Sequence, residues 1–244
     1  MKNALLTTTL VLVGMAITPA QATTYTFSWV TPSNTNTDLG LLYSLSNNGI
    51  TLTARGLTAP ANLTNAAAAG PDLYAKNGGT GETGLGMATD PGGDHEISAK
   101  LNDGIQVDFS DALSKAPNAT VSMVIESAQV GEGWALYGSN TLLTVAGNSK
   151  SDGALGEPLL SGAANYPNAT TSITIPDWGQ YTYYTLMATD ANCKTPLANI
   201  LLGTVTITPG TTQNPQAPEP GTLMMGGTAL IGLGVVWKKK QKKA

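Results

Sequence analysis

The sequence predicts an all-β fold, an antiparallel β-sandwich with a jelly-roll-like arrangement. Helical periodicity is weak, and Gly, Pro, Asn, Ser and Thr recur at roughly eight- to twelve-residue intervals. Between these turn formers lie short runs rich in Thr, Val, Ile, Tyr and Leu, as expected for strands that pack into two sheets. The runs are 23–30, 39–46, 50–56, 120–127, 134–139, 141–145, 171–175, 181–188 and 200–208.

The clearest local pattern is a predicted hairpin over residues 96–110. Apolar and polar residues alternate over 96–101 and again over 105–110, with Asn102-Asp103-Gly104 between them. This alternation predicts one apolar row against a core and one polar row in water, joined by a tight turn. In contrast, residues 58–94 are rich in Gly, Ala and Asn and are predicted to form a long surface excursion.

Both ends of the chain are predicted to be targeting segments. The start has Lys2, an apolar stretch over 4–17 and the small-residue site Ala20-Gln21-Ala22. This is the layout of a secretory signal peptide, residues 1–22, cleaved after Ala22. The rest divides into a β-sandwich ectodomain (23–207), a Pro- and Thr-containing linker (208–217) and a C-terminal segment (218–244).

Composition limits the partners of the exported part. Residues 23–217 hold six basic and fifteen acidic residues, a net charge of −9. An acidic surface repels phosphate backbones, so no nucleic-acid partner is expected, whereas cations are attracted. The single cysteine, Cys193, provides no internal disulfide framework, so stability must come from core packing or bound ions.

The C-terminal segment is predicted to be a short membrane anchor. Residues 222–237, from Thr222 to Trp237, carry no charge, and a helix of this length spans about 24 Å, less than the roughly 30 Å hydrocarbon core. Trp237 suits the membrane interface, and the span's four glycines weaken the helix, which indicates a temporary anchor. The cytoplasmic basic stop is formed by Lys238, Lys239, Lys240, Lys242 and Lys243.

Pro218-Glu219-Pro220, the following Thr222, the glycine-bearing span and the basic end together resemble the PEP-CTERM sorting signal. The resemblance implies passage through the inner membrane of a Gram-negative bacterium that makes exopolysaccharide. It also implies cutting near Pro218-Glu219-Pro220 by exosortase, a membrane protease or transpeptidase, and delivery to the surface or matrix. Residues 84–110 resemble a segment that recurs in β-sandwich ectodomains of PEP-CTERM proteins, which implies the fold but no catalytic residue.

Candidate sites in the ectodomain are few. The only histidine, His95, is expected to be solvated rather than part of a catalytic triad, and one His with one Cys makes a zinc site improbable. Asp90, Asp94 and Glu96 surround two glycines and are the candidate ligands for a structural calcium ion; a solvated acidic turn is the alternative. Trp178 lies in a turn-like stretch and is the aromatic expected to be exposed for stacking on sugar rings.

These observations predict an exported, non-enzymatic surface or matrix protein, structural or adhesive in an exopolysaccharide biofilm or floc. No cofactor is expected apart from the possible calcium ion. Two alternatives stay open. A carbohydrate-binding module would bind exopolysaccharide and lose binding in Trp178→Ala, whereas a polysaccharide hydrolase would depend on a pair of carboxylates that the sequence does not single out.

Overall fold

The structure, a computed structural model, describes residues 23–57, 71–88, 93–101, 103–142, 156–167, 169–190 and 198–210. The chain divides into two units, Met1–Gly210 and Thr211–Ala244, and all described residues lie in the first. These residues form two antiparallel sheets with almost no helix, which confirms the prediction of an all-β fold with two antiparallel sheets.

Fourteen strands lie within the described residues, together with a 3-10 turn (Ala99–Leu101) and a short helix α1 (Ser110–Lys115). Eight of the nine predicted runs overlap a strand; the ninth, 141–145, begins after β10 has ended and continues outside the described residues. In chain order the strands are β1 (Tyr25–Ser28), β2 (Thr37–Gly40), β3 (Leu42–Asn47), β4 (Ile50–Leu57), β5 (Leu73–Asn77), β6 (Thr83–Met87), β7 (Ile97–Ser98), β8 (Gly104–Asp108), β9 (Thr120–Ala128), β10 (Glu132–Ser139), β11 (Leu160–Ala163), β12 (Ala169–Thr174), β13 (Tyr183–Asp190) and β14 (Asn199–Thr208).

The strands form an eight-stranded sheet, here sheet I, and a six-stranded sheet, here sheet II. Sheet I has the order β12-β9-β14-β6-β5-β2, and β1 and β7 also pair with β14. Sheet II has the order β11-β10-β13-β8-β4-β3. Strand β14 therefore has four partners, β1, β6, β7 and β9, and is the hub of sheet I.

One hydrophobic core joins the two sheets. Phe27, Met123 and Val205 of sheet I belong to the same buried cluster as Val107 and Leu186 of sheet II. In β9 and β4, buried residues alternate with half-exposed ones over most of each strand, which is the period-two pattern that places one face of a strand against a core. The two sheets therefore pack face to face.

Strands β3 and β4 form a hairpin whose turn explains its register. Asn47 pairs with Ile50, so the connection consists of Asn48 and Gly49 alone. Both turn residues have positive φ, 48° and 83°. Two positive-φ residues are what the two-residue type I′ hairpin requires, and Asn-Gly is its preferred sequence.

The hairpin predicted over residues 96–110 is wrong. Strand β7 pairs with β14 in sheet I, whereas β8 pairs with β4 and β13 in sheet II. The 3-10 turn between β7 and β8 carries the chain from one sheet to the other. Glu96 and Ser98, predicted to face water, are 6% and 3% exposed. Alternation reported correctly that Ile97 and Ile105 face a core, but they reach it from opposite sheets.

The surface excursion predicted over residues 58–94 is also wrong in its described part. Strands β5 and β6 lie there and form part of sheet I, between β14 and β2. Leu73, Leu85 and Met87 are fully buried in the core. The glycines of this region predict a loop, but Gly84 and Gly86 lie within a strand and permit close backbone contacts there.

Candidate functional site

The acidic segment 93–96, which the sequence singles out, lies against the face of sheet I opposite the core. A Cβ atom placed on Gly86 would lie 2.0 Å from the carbonyl oxygen of His95, so only glycine allows this approach. Tyr74 is the cross-strand partner of Gly86, and its ring stacks on that of His95 with centroids 3.9 Å apart. We call residues 93–98, which cross Gly86 and then pair with β14, the crossing segment.

Glu96 of the crossing segment is held by two side chains. Its Oε1 lies 2.5 Å from Lys76 Nζ and accepts a hydrogen bond of 2.5 Å from the Ser127 hydroxyl. Sequence reasoning did not identify Lys76 or Ser127. The signal for Lys76 was the alternation in β5, where Leu73 and Ala75 are buried, so that Lys76 lies on the opposite face, as Tyr74 does.

Two residues around this contact have unusual backbone conformations. His95 has φ of 57° and Ser127 has φ of 65°, in the left-handed region that side-chain-bearing residues rarely adopt. Such conformations cost about 1–3 kcal/mol each and persist where the surrounding structure imposes them, often at functional sites. Two of the five described non-glycine residues with positive φ therefore lie next to Glu96 or donate a hydrogen bond to it.

A second carboxyl group, that of Glu132, lies near Glu96. Its Oε2 accepts a hydrogen bond of 2.6 Å from the backbone N–H of Gln129. Burial raises the pKa of Glu132 above its usual 4.5 and is opposed by backbone hydrogen bonds from Gln129 and Asn199, while the charge of Glu96 raises this pKa further. Burial likewise raises the pKa of Glu96, although the hydrogen bonds from Lys76 and Ser127 oppose the shift.

We expect Glu132 to titrate above pH 4.5 in the folded protein. A carboxyl group with a raised pKa binds its proton more tightly when folded, so its contribution to stability is full below pH 4.5 and is lost as the pH rises through the folded-state pKa. NMR titration of the side-chain carboxyl carbon measures this directly. Asp111 is the internal control, because its hydrogen bond from Lys115 lowers its pKa below 3.8. A Glu132 midpoint at or below 4.5 would contradict the burial argument.

The three predicted calcium ligands are only partly placed. Asp90 lies outside the described residues, Asp94 is exposed, and Glu96 is turned toward Lys76 and Ser127. Among the described residues no group of three His, Cys, Asp or Glu side chains is arranged to hold a metal ion. Calcium binding by Asp90, Asp94 and Glu96 stays a prediction.

Trp178 is half-buried, whereas its turn-like sequence predicted exposure. Its indole N–H donates a hydrogen bond of 3.2 Å to the carbonyl oxygen of Ala116, and its ring contacts Phe109 edge-on with centroids 5.4 Å apart. Tyr184 lies against both rings, and burial raises its pKa to about 12. Trp178 therefore packs against the core, and its predicted role in sugar stacking stays a prediction.

The remaining predicted sites lie outside the described residues. These are the cleavage site after Ala22, Cys193, the sorting motif Pro218-Glu219-Pro220, and the anchor with its basic stop (222–243). Within the part of the chain that is described, no helix is long and apolar enough to cross a membrane.

Comparison with known proteins gives two kinds of similarity. The chain is similar to the K1 cleaved adhesin domain of Lys-gingipain (Kgp) from Porphyromonas gingivalis W83, with 13% identity, coverage of 77% of this chain and 99% of that domain, and a TM-score of 0.30. The K3 cleaved adhesin domain of the same protein gives 13% identity, 79% and 92% coverage, and a TM-score of 0.27.

No curated protein sequence matches the chain. The family profile of the PEP-CTERM protein-sorting motif matches residues 216–240, which include Pro218-Glu219-Pro220 and the first three lysines of the basic stop. The resemblance drawn from the sequence is thereby confirmed. The chain thus carries a PEP-CTERM protein-sorting motif at residues 216–240.

Proposed function

We propose that this chain is a non-enzymatic structural or adhesive protein that exosortase delivers to the cell surface or the exopolysaccharide matrix of a Gram-negative bacterium. The observation that carries this proposal is the PEP-CTERM motif at residues 216–240, because the motif implies sorting by exosortase and an extracellular destination. The folded domain would be the delivered part, and the chain a substrate of the sorting enzyme.

The proposed route uses the C-terminal segment as a temporary anchor. The uncharged run 222–237 would enter the inner membrane, and the five lysines after it would stay on the cytoplasmic side. A helix of about 24 Å is short for a hydrocarbon core of roughly 30 Å, so the anchor holds the chain weakly until exosortase cuts near Pro218-Glu219-Pro220.

The outer face of sheet I supports a role in a hydrated polymer matrix. Thr26, Thr206, Ser122 and Thr174 lie directly opposite one another on the neighbouring strands β1, β14, β9 and β12. Their side chains are exposed or half-exposed, whereas the alternate residues of these strands face the core. This hydroxyl row is uncharged and both donates and accepts hydrogen bonds, as the hydroxyl groups of a polysaccharide do. Exopolysaccharide is accordingly the proposed matrix partner.

Intact-mass spectrometry of the protein from its native host, with and without exosortase, tests the proposal. We expect a C-terminus near residues 217–220 only when exosortase is present, with the protein recovered from the surface or matrix. A mass that retains Lys238–Lys243 in both strains would contradict the proposal and indicate a permanently anchored protein.

A pair of tail variants sharpens this test. Replacing Pro218, Glu219 and Pro220 by alanine removes the motif and leaves the apolar run unchanged, so we expect the uncut mass in the exosortase-containing strain. Replacing the five tail lysines by arginine keeps the basic stop, so we expect normal cutting. Equal processing of both variants would show that cutting does not depend on the Pro-Glu-Pro triplet.

A further inference from the structure

Lys76 and Glu96 form an ion pair that is largely removed from water. Lys76 Nζ and Glu96 Oε1 are 2.5 Å apart, and their side chains are 16% and 7% exposed. Ser127, which is 3% exposed, donates its hydroxyl hydrogen bond to the same carboxylate oxygen. An amine nucleophile, a carboxyl carbon and a hydroxyl donor on one carboxyl oxygen are therefore held together in a buried site.

The second ion pair among the described residues, between Lys115 and Asp111, is much more exposed to water. Lys115 and Asp111 lie four residues apart on α1, with Nζ and Oδ1 2.7 Å apart. Their side chains are 47% and 34% exposed, so water solvates both charges. This surface pair provides an internal control for any chemistry that depends on burial.

We propose that Lys76 and Glu96 condense into an intramolecular isopeptide bond. A bond forms between Lys76 Nζ and Glu96 Cδ, and the bond between Cδ and Oε1 breaks. The leaving oxygen departs as water and takes two of the three ammonium protons; the third stays on the amide nitrogen. The step needs no oxidant, reductant or other reactant.

Burial is what favours this step at this position. The reacting pair is a neutral amine beside a neutral acid, which forms when one proton passes from the ammonium group to the carboxylate; this transfer removes two charges from a site largely shielded from water. The Ser127 hydroxyl contacts Oε1, the oxygen that leaves. The charge of Glu96 contributes to raising the pKa of Glu132, which indicates that a second carboxyl group lies near the site.

The unusual backbone conformations of His95 and Ser127 fit the same role. The surrounding structure imposes them, and they place Glu96, which follows His95, and the Ser127 hydroxyl next to the Lys76 amine. The bond would tie β5 to the crossing segment and close a covalent loop between residues 76 and 96. In a chain with a single cysteine, such a link restricts the unfolded state as a disulfide does elsewhere.

A tryptic digest of the denatured full-length chain tests the proposal, since denaturation separates an ion pair but leaves an amide intact. Trypsin cuts after lysine only where the ammonium group is free. We therefore expect no cut after Lys76 and a single peptide covering residues 56–100, lighter by one water than the linear peptide, with fragmentation that places the link between Lys76 and Glu96. Normal cutting after Lys115 is expected in the same digest.

Two variants test whether a missing tryptic cut after Lys76 has a cause other than the isopeptide bond. Lys76→Arg keeps the positive charge and the fold but provides no reactive amine, so it should yield separate peptides 56–76 and 77–100 without loss of water. Glu96→Ala should restore cutting after Lys76. Separate, full-mass peptides 56–76 and 77–100 from the wild-type chain would overturn the proposal and leave Lys76 and Glu96 as an ordinary ion pair.

Discussion

Replacing Gly86 by alanine is expected to lower the free energy of unfolding by about 3 kcal/mol or more. The added Cβ would lie 2.0 Å from the His95 carbonyl oxygen and 3.0 Å from Glu96 Cα, and neither is a side-chain atom that can rotate away. Overpacking costs about 1–3 kcal/mol, and displacing the crossing segment also breaks the buried hydrogen bond between Ser127 and Glu96, which leaves polar groups unpaired at a cost of about 1–3 kcal/mol. Urea denaturation measures the total.

Hydrogen exchange shows where the Gly86→Ala effect arises. We expect faster exchange at the amide of Ala99, which bonds to the carbonyl oxygen of Ala198, because the crossing segment must move. Gly49→Ala is the control: nothing lies within 4 Å of its added Cβ, so only the cost of positive φ remains, roughly 1–2 kcal/mol. Equal losses for the two variants would contradict the close-approach argument.

Replacing Phe109 by alanine is expected to cost about 3–5 kcal/mol, a large part of the total stability of a domain. Phe109 is fully buried and contacts the rings of Trp178 and Tyr184 edge-on, so its removal leaves a cavity among rigid aromatic rings that cannot close it. Guanidinium denaturation followed by tryptophan fluorescence measures the change, with an unchanged slope if the unfolded state is the same.

The control for Phe109→Ala is Tyr166→Ala. Tyr166 is 75% exposed, so its removal should change the stability by no more than about 0.5 kcal/mol. A Phe109→Ala loss below about 1 kcal/mol would mean that the aromatic cluster repacks around the missing ring, and would contradict its assignment as a rigid part of the core.

Strands with regular alternation were predictable from the sequence. The predicted runs 50–56, 120–127 and 200–208 alternate or are strongly apolar. Their ends agree to within two residues with those of β4, β9 and β14. Alternation reports which residues face a core but not which strand lies alongside. This is why residues 96–110 were predicted as a hairpin although β7 and β8 belong to different sheets.

The candidate site was predictable only in part, because its partners are distant in the chain. The sequence predicts Asp90, Asp94 and Glu96 as calcium ligands, but the cationic group that contacts Glu96 in the structure is the ammonium group of Lys76. Lys76 lies in a region whose glycines indicated a loop. Trp178 is predicted to be exposed because it lies in a turn-like stretch, but its indole N–H donates to the carbonyl oxygen of Ala116, 62 residues away in the chain.

The position of β14 links folding to secretion. This hub strand is the last strand of the described residues, and its end at Thr208 lies shortly before the sorting motif that begins at residue 216. A chain that crosses a membrane from its N-terminus delivers β14 after all other strands, so β1, β6, β7 and β9 have no common partner until then. Pairing over such sequence distances is slow. If the chain is exported in this direction, sheet I can therefore be completed only after β14 has been translocated, shortly before the sorting motif follows.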